Sequence, residues 1–201
     1  MPDPDPPAPL PTPVPWLNAL ATALARSRND PAAHFAQLAT RGLDGAPRCR
    51  TVVIRAIVEA EGAMLFCTDA RSPKLEQIAA DPRAELCWYF ADAREQFRFA
   101  GEIALSGAGD TSPAWRSREA LWDYLPEATR ASFAGPPPGA LRAAAPPSAA
   151  RLDANGAPDT FVTAALFVRT VDHLRLREAP HGRTLHQRGD GGLWTRVELW
   201  A

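Results

Sequence analysis

The sequence predicts a mainly β fold of the α+β class, a small antiparallel β-barrel with short helices at its margins. The segment from Gln96 to Leu105 alternates between apolar and polar residues, as a strand with one buried face does. Arg50 to Val58 is rich in β-branched residues, and the glycines at 189–192 form a hairpin signal before Leu193–Trp200. With the segments below, roughly six or more strands and three or four helices are expected.

The first part of the chain is predicted to be helical after a proline-rich start. Residues 1–15 carry proline at almost every second position and are expected to be disordered or polyproline-like. Trp16 to Arg28 has a helical apolar face. A second helix is expected to open at Asp30-Pro31 and to end at Gly42.

The rest of the chain is predicted to be strands joined by short helices, within a single domain of residues 16–201. Strands are expected at Met64–Thr68, Glu85–Phe90 and Phe161–Leu176, and a helix is expected to begin at Ser112-Pro113. Residues 134–159 are dominated by Pro, Ala and Gly and predict a long loop.

Composition excludes several classes of function. The net charge of −1, without a basic run, gives no reason to expect nucleic acid as a partner. No apolar stretch is long enough for a membrane span, and the N-terminus lacks the features of a signal peptide, so a cytoplasmic protein is expected. Cys49, Cys67 and Cys87 show no metal-binding spacing, nor do the histidines, so we expect small apolar cysteines and no metal site.

The run Arg71-Ser72-Pro73-Lys74 predicts a helix start with an unusual charge. Ser72 suits the N-cap and Pro73 the first helical position, so Lys74 lies in the first turn, where a cation is mildly unfavourable. Exposed backbone N–H groups with a hydroxyl and extra cations suit a phosphate. A solvated basic turn is the alternative, and these residues alone leave both interpretations open.

Five short motifs occur in order along the chain, and together they are specific: Arg50-Thr51-Val52-Val53-Ile54-Arg55, Phe66-Cys67-Thr68, Ser72-Pro73-Lys74, Glu95-Gln96-Phe97-Arg98-Phe99-Ala100-Gly101 and His181-Gly182-Arg183. In these motifs the chain, from about Pro47 to its end, resembles the pyridoxamine 5'-phosphate oxidase-like FMN proteins. The resemblance implies a split β-barrel, FMN as cofactor, and a homodimer with the flavin site between the subunits.

The resemblance also implies individual roles. Arg50, Ser72 and Lys74 would hold the FMN phosphate and ribityl chain, Gln96 would meet the polar edge of the isoalloxazine, and Arg183 would place a positive charge near it. The full cofactor-binding set is Arg50, Thr51, Val52, Val53, Cys67, Thr68, Ser72, Lys74, Gln96 and Arg183. Arg55 and His181 are the substrate-binding candidates, with His181 as an orienting residue or, alternatively, a surface residue. Arg50 and Arg55 would face opposite sides of one strand.

The substrate half departs from the family pattern. Arg55 replaces the family's lysine, and Ala179 stands where the oxidases carry an arginine. Tyr124, Arg130 and Ser132 lie in the region of the family's substrate clamp but at the wrong spacing. The flavin-contacting tryptophan has no certain counterpart around His173.

The sequence therefore predicts an FMN-binding oxidoreductase with hydride transfer at flavin N5 and an altered substrate site. Pyridoxamine or pyridoxine 5'-phosphate is the candidate substrate. A non-catalytic FMN-binding or carrier protein is the alternative, and a related barrel that binds a deazaflavin or haem is a third.

Overall fold

The computed structural model describes residues 14–110, 118–142 and 156–201, and these form four helices and nine strands. The elements, in chain order, are α1 (Leu17–Arg26), β1 (Phe35–Arg41), β2 (Pro47–Val53), β3 (Ala56–Val58), β4 (Ala63–Asp69), α2 (Pro73–Ala80), β5 (Arg83–Phe90), β6 (Glu95–Ser106), α3 (Arg118–Tyr124), α4 (Glu127–Ser132), β7 (Phe161–Arg175), β8 (Gly182–Arg188) and β9 (Trp194–Trp200).

The strands form one antiparallel sheet in the order β2-β1-β5-β6-β7-β4-β3, with β8 paired to β7 and β9 paired to β8. The long strand β7 divides the sheet, because its first half pairs with β4, its second half pairs with β8, and β6 pairs along its whole length. The register between β6 and β7 shifts at Ala100/Gly101, where β7 carries one extra residue, Arg169, and a Cβ on Gly101 would clash with the carbonyl group of Phe167. The antiparallel split-barrel architecture with short helices is confirmed.

The core lies inside the curved sheet and is closed by α1. Trp16, Leu20 and Ala23 pack onto the inward-facing side chains of the strands, all of them buried. These are chiefly Leu38, Met64, Phe66, Leu86, Trp88, Phe97, Phe99, Leu166 and Val171. A smaller cluster of Leu121, Trp122, Leu125, Phe133 and Phe161 fixes α3 and α4 against the start of β7. This second cluster positions a wall of the cavity described below.

Two predictions are wrong. The expected helix from Asp30 to Gly42 is strand β1, in which buried Ala36, Leu38 and Thr40 alternate with exposed or half-buried neighbours. Asp30 instead closes a turn, since its carboxylate accepts a hydrogen bond from the Ala32 N–H.

The expected single strand from Arg50 to Val58 is two strands. The chain changes partner at the break, where the Ile54 N–H donates to His34 and the Arg55 N–H donates to Leu65. Arg50 therefore lies on β2, whereas Arg55 lies in the break between β2 and β3, and the predicted face relation between them does not apply.

Several predicted segments are confirmed within the described ranges. α1, β4, α2, β5, β6, β7 and the terminal hairpin lie where the patterns place them, with ends shifted by a few residues. Most of the proline-rich start, the Ser112-Pro113 helix start and residues 143–155 of the predicted loop lie outside the described residues. The cysteines all lie in strands, but Cys49 is exposed. None of the described helices is long and apolar enough to cross a membrane.

Two buried histidines make stability depend on pH. Burial, with neighbouring Arg196 and His173, lowers the pKa of His186 below its ordinary value of 6.5, so the folded state resists a proton that the unfolded chain binds. The free energy of unfolding of flavin-free protein should therefore fall as the pH is lowered from about 7.5 to 5.5, and His186→Gln should remove up to about 1 kcal/mol per pH unit of that fall.

Denaturant unfolding at several pH values measures this effect. His34 is exposed, so His34→Gln is the matched control and should keep the wild-type slope. The burial of His173, whose pKa is also lowered, accounts for the part of the slope that remains. An unaltered slope in His186→Gln would contradict the assignment.

Candidate active site

The start of α2 presents a lysine among hydroxyl groups. Ser72 occupies the N-cap position and Pro73 begins the helix, as predicted, but the Ser72 side chain makes no capping hydrogen bond. Its hydroxyl instead accepts from Lys74 Nζ at 2.7 Å, and the Thr68 hydroxyl accepts from the same nitrogen at 2.9 Å. The Lys74 ammonium is therefore held at the junction of β4 and α2 by neutral oxygens.

The surroundings of Lys74 disfavour the charged form of its side chain. Burial, and then the nearby guanidinium of Arg50, lower the pKa of Lys74 below its ordinary value of 10.5. Among the described residues, no carboxylate lies within ion-pair distance of Lys74 or Arg50. Two neighbouring cations without a carboxylate partner form a site for an anion.

Lys74 faces a cavity of about 300 Å³ between β2, β4 and α4. The structure brings most of the predicted cofactor residues to this cavity, which is lined by Thr51, Val52, Val53, Cys67, Thr68 and Lys74, together with Arg55. Ser72 adjoins it through its bond to Lys74. Burial raises the pKa of the Cys67 thiol despite the nearby Arg55, so the thiol is neutral and does not compete for the cations.

Arg50 does not line this cavity, but it lies near enough to Lys74 to disfavour the Lys74 charge, and it is held by residues that the sequence did not single out. Its Nη1 donates to the Thr40 hydroxyl at 2.6 Å, and its Nη2 donates to Gln77 Oε1 at 2.6 Å. Thr40 also donates to Gln77 Oε1, at 2.8 Å, which closes a ring of three side chains. Gln77 is buried on α2, and the only sequence signal for it was a polar residue on the apolar face of a predicted helix.

Arg71 does not add free positive charge to the site, contrary to the sequence interpretation. It forms a two-point ion pair with Asp69 and donates to the carbonyl groups of Phe133 and Gly135. Burial would raise the pKa of Asp69, but the hydrogen bonds from Arg71 outweigh burial and lower it. The ion pair neutralises the carboxylate that lies nearest to Lys74 and ties the loop after α4 to the cavity.

Arg55 lies between two cavities. It lines the Lys74 cavity and also a second cavity of about 380 Å³, which is bordered by His34, Phe35 and Tyr124. Its Nε is buried without a hydrogen-bond partner among the described residues. Arg55 is therefore a shared part of the walls of both cavities.

The wall opposite Lys74 comes from α4 and the loop that follows it. Thr129, Ser132, Phe133 and Pro138 line the first cavity, whereas Tyr124 lines the second. Tyr124 and Ser132, which do not match the family's clamp spacing, are thus near Arg55 through the fold of α3 and α4. Arg130 stacks on Trp122 and lines neither cavity.

Gln96, Arg183 and His181 are not brought to this cavity within one chain. Gln96 and Arg183 lie on either side of Leu174. Twelve residues of β7 separate Leu174 from Val162, the partner of Thr68, which is about 40 Å of strand. Arg183 forms a two-point ion pair with Asp172, and His181 is exposed, with its Nδ1 3.0 Å from the Glu178 carbonyl oxygen.

Comparison with known proteins places this geometry in a family. A family model described as pyridoxamine 5'-phosphate oxidase, FMN-binding domain, matches residues 13–107. A pyridoxine/pyridoxamine 5'-phosphate oxidase from Arabidopsis thaliana is 35% identical over 62% of this chain and 63% of its own length. One from Anaeromyxobacter dehalogenans is 37% identical over 50% of this chain and 49% of its own. The chain thus spans about half to two thirds of the length of these two curated relatives.

A crystal structure from Nostoc punctiforme, described as a pyridoxamine 5'-phosphate oxidase-related, FMN-binding protein, is 36% identical with a TM-score of 0.84, covering 94% of this chain and 98% of that one. The chain belongs to the pyridoxamine 5'-phosphate oxidase-like FMN-binding family. PhzG from Burkholderia lata, at 18% identity and a TM-score of 0.71 over 92% of both chains, shares the fold of this family.

The residues present fit the phosphate of the family's cofactor, FMN. Lys74 and Arg50 supply two cations without a carboxylate partner, and the hydroxyls of Ser72 and Thr68 lie on the same side of α2. Among the described residues, no group of three or more His, Cys, Asp or Glu side chains could hold a metal.

Removing both cations should abolish flavin retention. Arg50→Ala combined with Lys74→Ala should yield folded, colourless protein, because two charge-assisted contacts are lost and FMN affinity should fall on the order of a hundredfold or more. Absorbance of the purified protein and circular dichroism measure the two properties. The double variant Arg48→Ala with Arg83→Ala removes equal charge from exposed positions and should stay yellow. Full flavin occupancy without Arg50 and Lys74 would contradict the phosphate site.

Proposed function

We propose that the protein is a homodimeric FMN-dependent oxidoreductase whose cofactor phosphate is held by Lys74 and Arg50. The observation that supports this most directly is the half-buried Lys74 ammonium, which lines a cavity, is disfavoured by the nearby Arg50 guanidinium, and has no carboxylate partner among the described residues. Two cations this close are unfavourable by themselves, and a phosphate dianion relieves their repulsion. The matched family and the Nostoc punctiforme structure support the same cofactor.

The protein's part in the reaction is binding and orientation. Bound FMN would supply hydride transfer at its N5 atom. Arg55 would hold an anionic substrate group, because it reaches the second cavity and its Nε has no partner among the described residues. The names of the relatives make pyridoxamine or pyridoxine 5'-phosphate the first substrate to test. His34 and Tyr124 border the space next to Arg55 and would contact the substrate body.

A second copy of the chain would complete the flavin site. Gln96 and Arg183 face the same side of the sheet as Phe35, Tyr89, Val197 and Leu199, which the register places on one outer face. These four large apolar side chains are each about 40 to 50% exposed. A partner subunit that covers this face would bury them and bring Gln96 and Arg183 to the flavin held at its Lys74.

The cationic side chains expected on the substrate side are missing or already paired, which favours a second candidate function, that of a non-catalytic flavin carrier. Ala179 replaces an arginine of the oxidases, and Arg183 is already neutralised by Asp172. Burial would raise the pKa of Asp172, but hydrogen bonds from Arg183 and Arg98 outweigh burial and lower it, so the ion pair persists at neutral pH. The substrate would then lack cationic contacts from this side.

Anaerobic mixing separates the two functions. Pyridoxamine 5'-phosphate should bleach the flavin absorbance of the wild-type protein, and Arg55→Met should keep its flavin but need about tenfold or more substrate for the same rate. Arg55→Lys, which keeps the charge, should recover most of the affinity. Unchanged colour with every amine and nicotinamide donor tried would favour the carrier, and equal kinetics in Arg55→Met would remove Arg55 from the substrate site.

Mixed dimers test whether two chains share one flavin site. The variant Arg50→Ala with Lys74→Ala and the variant Gln96→Ala with Arg183→Ala should each retain little FMN. Co-expression should restore about one flavin per mixed dimer, because one of its two sites then combines two intact halves. Differently tagged chains allow the mixed dimer to be isolated and its flavin counted. No recovery in that species would show that each site is built from one chain.

A further inference from the structure

Arg50 differs from other arginines of the described chain in the kind of oxygen that holds it. Arg71, Arg83 and Arg183 each make a two-point ion pair with an aspartate. Arg50 donates only to neutral acceptors, which are the carbonyl groups of Leu38 and Arg48, the Thr40 hydroxyl and Gln77 Oε1. Its guanidinium is therefore oriented without being neutralised.

Gln77 is the centre of this arrangement. It is buried on α2, one turn after Lys74, and its Oε1 accepts from Arg50 Nη2 at 2.6 Å and from Thr40 at 2.8 Å. A glutamate would have the same shape and could accept the same two bonds, but its charge would cancel that of Arg50. An amide oxygen gives the geometry and leaves the charge available.

Two donors of Arg50 have no acceptor among the described residues. The Nη1 group donates to Thr40, Leu38 and Arg48, whereas Nη2 gives one described bond, to Gln77. Within the described residues, Nε donates to no acceptor, so Nε and the second Nη2 hydrogen form one free edge of the fork. That edge is the one that binds a phosphate through two parallel bonds.

We propose that Gln77 is a positioning residue for phosphate recognition, which fixes the Arg50 fork through a neutral acceptor and so makes the site select phosphorylated flavin over riboflavin. This role of Gln77 rests on the proposed flavin function, and it accounts for the preference of that site for FMN over riboflavin. Thr40 supports the same geometry, because it bridges Arg50 and Gln77.

Gln77→Glu tests the proposal with two ligands that differ only in the phosphate. Binding of FMN and of riboflavin to flavin-free, full-length protein is followed by quenching of flavin fluorescence. The variant should bind FMN about tenfold or more weakly, since the introduced carboxylate neutralises a cation of the phosphate site, and riboflavin within about twofold of wild type. Ala79→Glu adds the same charge at an exposed position of α2 and should leave both affinities near wild type.

The outcomes separate this inference from the function on which it rests. Equal loss of FMN and riboflavin affinity in Gln77→Glu, or no loss of either, would overturn the role of Gln77 while flavin binding stands. A wild-type protein that does not prefer FMN to riboflavin would overturn both. If Gln77→Glu does not fold, Thr40→Val decides instead, because it removes an Arg50 acceptor without adding charge. A selective loss of FMN affinity there supports the proposal, and an unselective loss or none overturns it.

Discussion

The site depends on one electrostatic constraint, two cations held close together in a partly buried place without a carboxylate among the described residues to neutralise them. Lys74 lies in the first turn of α2, where the helix dipole is unfavourable to a cation. Burial, and then the nearby Arg50, lower the pKa of Lys74. The surrounding groups preserve this charge. Hydroxyls hold Lys74, an amide and a hydroxyl hold Arg50, and Arg71 takes up the nearest carboxylate, Asp69.

The fold explains how the halves of the site come to be separated. The long strand β7 joins the end of the sheet that carries Thr68 and α2 to the end that carries Gln96 and Arg183. Along the strand these two ends are about 40 Å apart. In the homodimer proposed above, a second chain that covers the exposed aromatic and aliphatic side chains near Gln96 and Arg183 would bring the two halves together.

Much of the fold could be predicted because its patterns are local. The alternation of β6 reflects the burial of one face, the cap-plus-proline start of α2 reflects the backbone preferences of Ser and Pro, and the structure confirms both. The segment after Asp30 was wrongly predicted as a helix, because the spacing of Phe35 and Leu38 is compatible with one buried helical face. In the structure the segment is a strand in which Leu38 is buried and Phe35 is exposed. The break at Ile54 could not be predicted, since it depends on pairing with His34 and Leu65, which lie far apart in the chain.

The candidate site was predictable only as far as its motifs extend. Lys74, Ser72 and Thr68 were found from the helix start and the family resemblance, and they meet as expected. The roles of Thr40 and Gln77 arise from three elements packing together, and a buried glutamine on a helix gives no such signal alone. The neutralisation of Arg71 by Asp69 and of Arg183 by Asp172 likewise required the three-dimensional structure.

The central claim, that the Lys74 and Arg50 pair exists to bind a flavin phosphate, is tested most directly by the chromophore of the purified wild-type protein. Its absorbance spectrum should show a bound flavin, and mass spectrometry of the compound released on denaturation should give FMN. A released deazaflavin, a haem, or riboflavin without its phosphate would contradict the account.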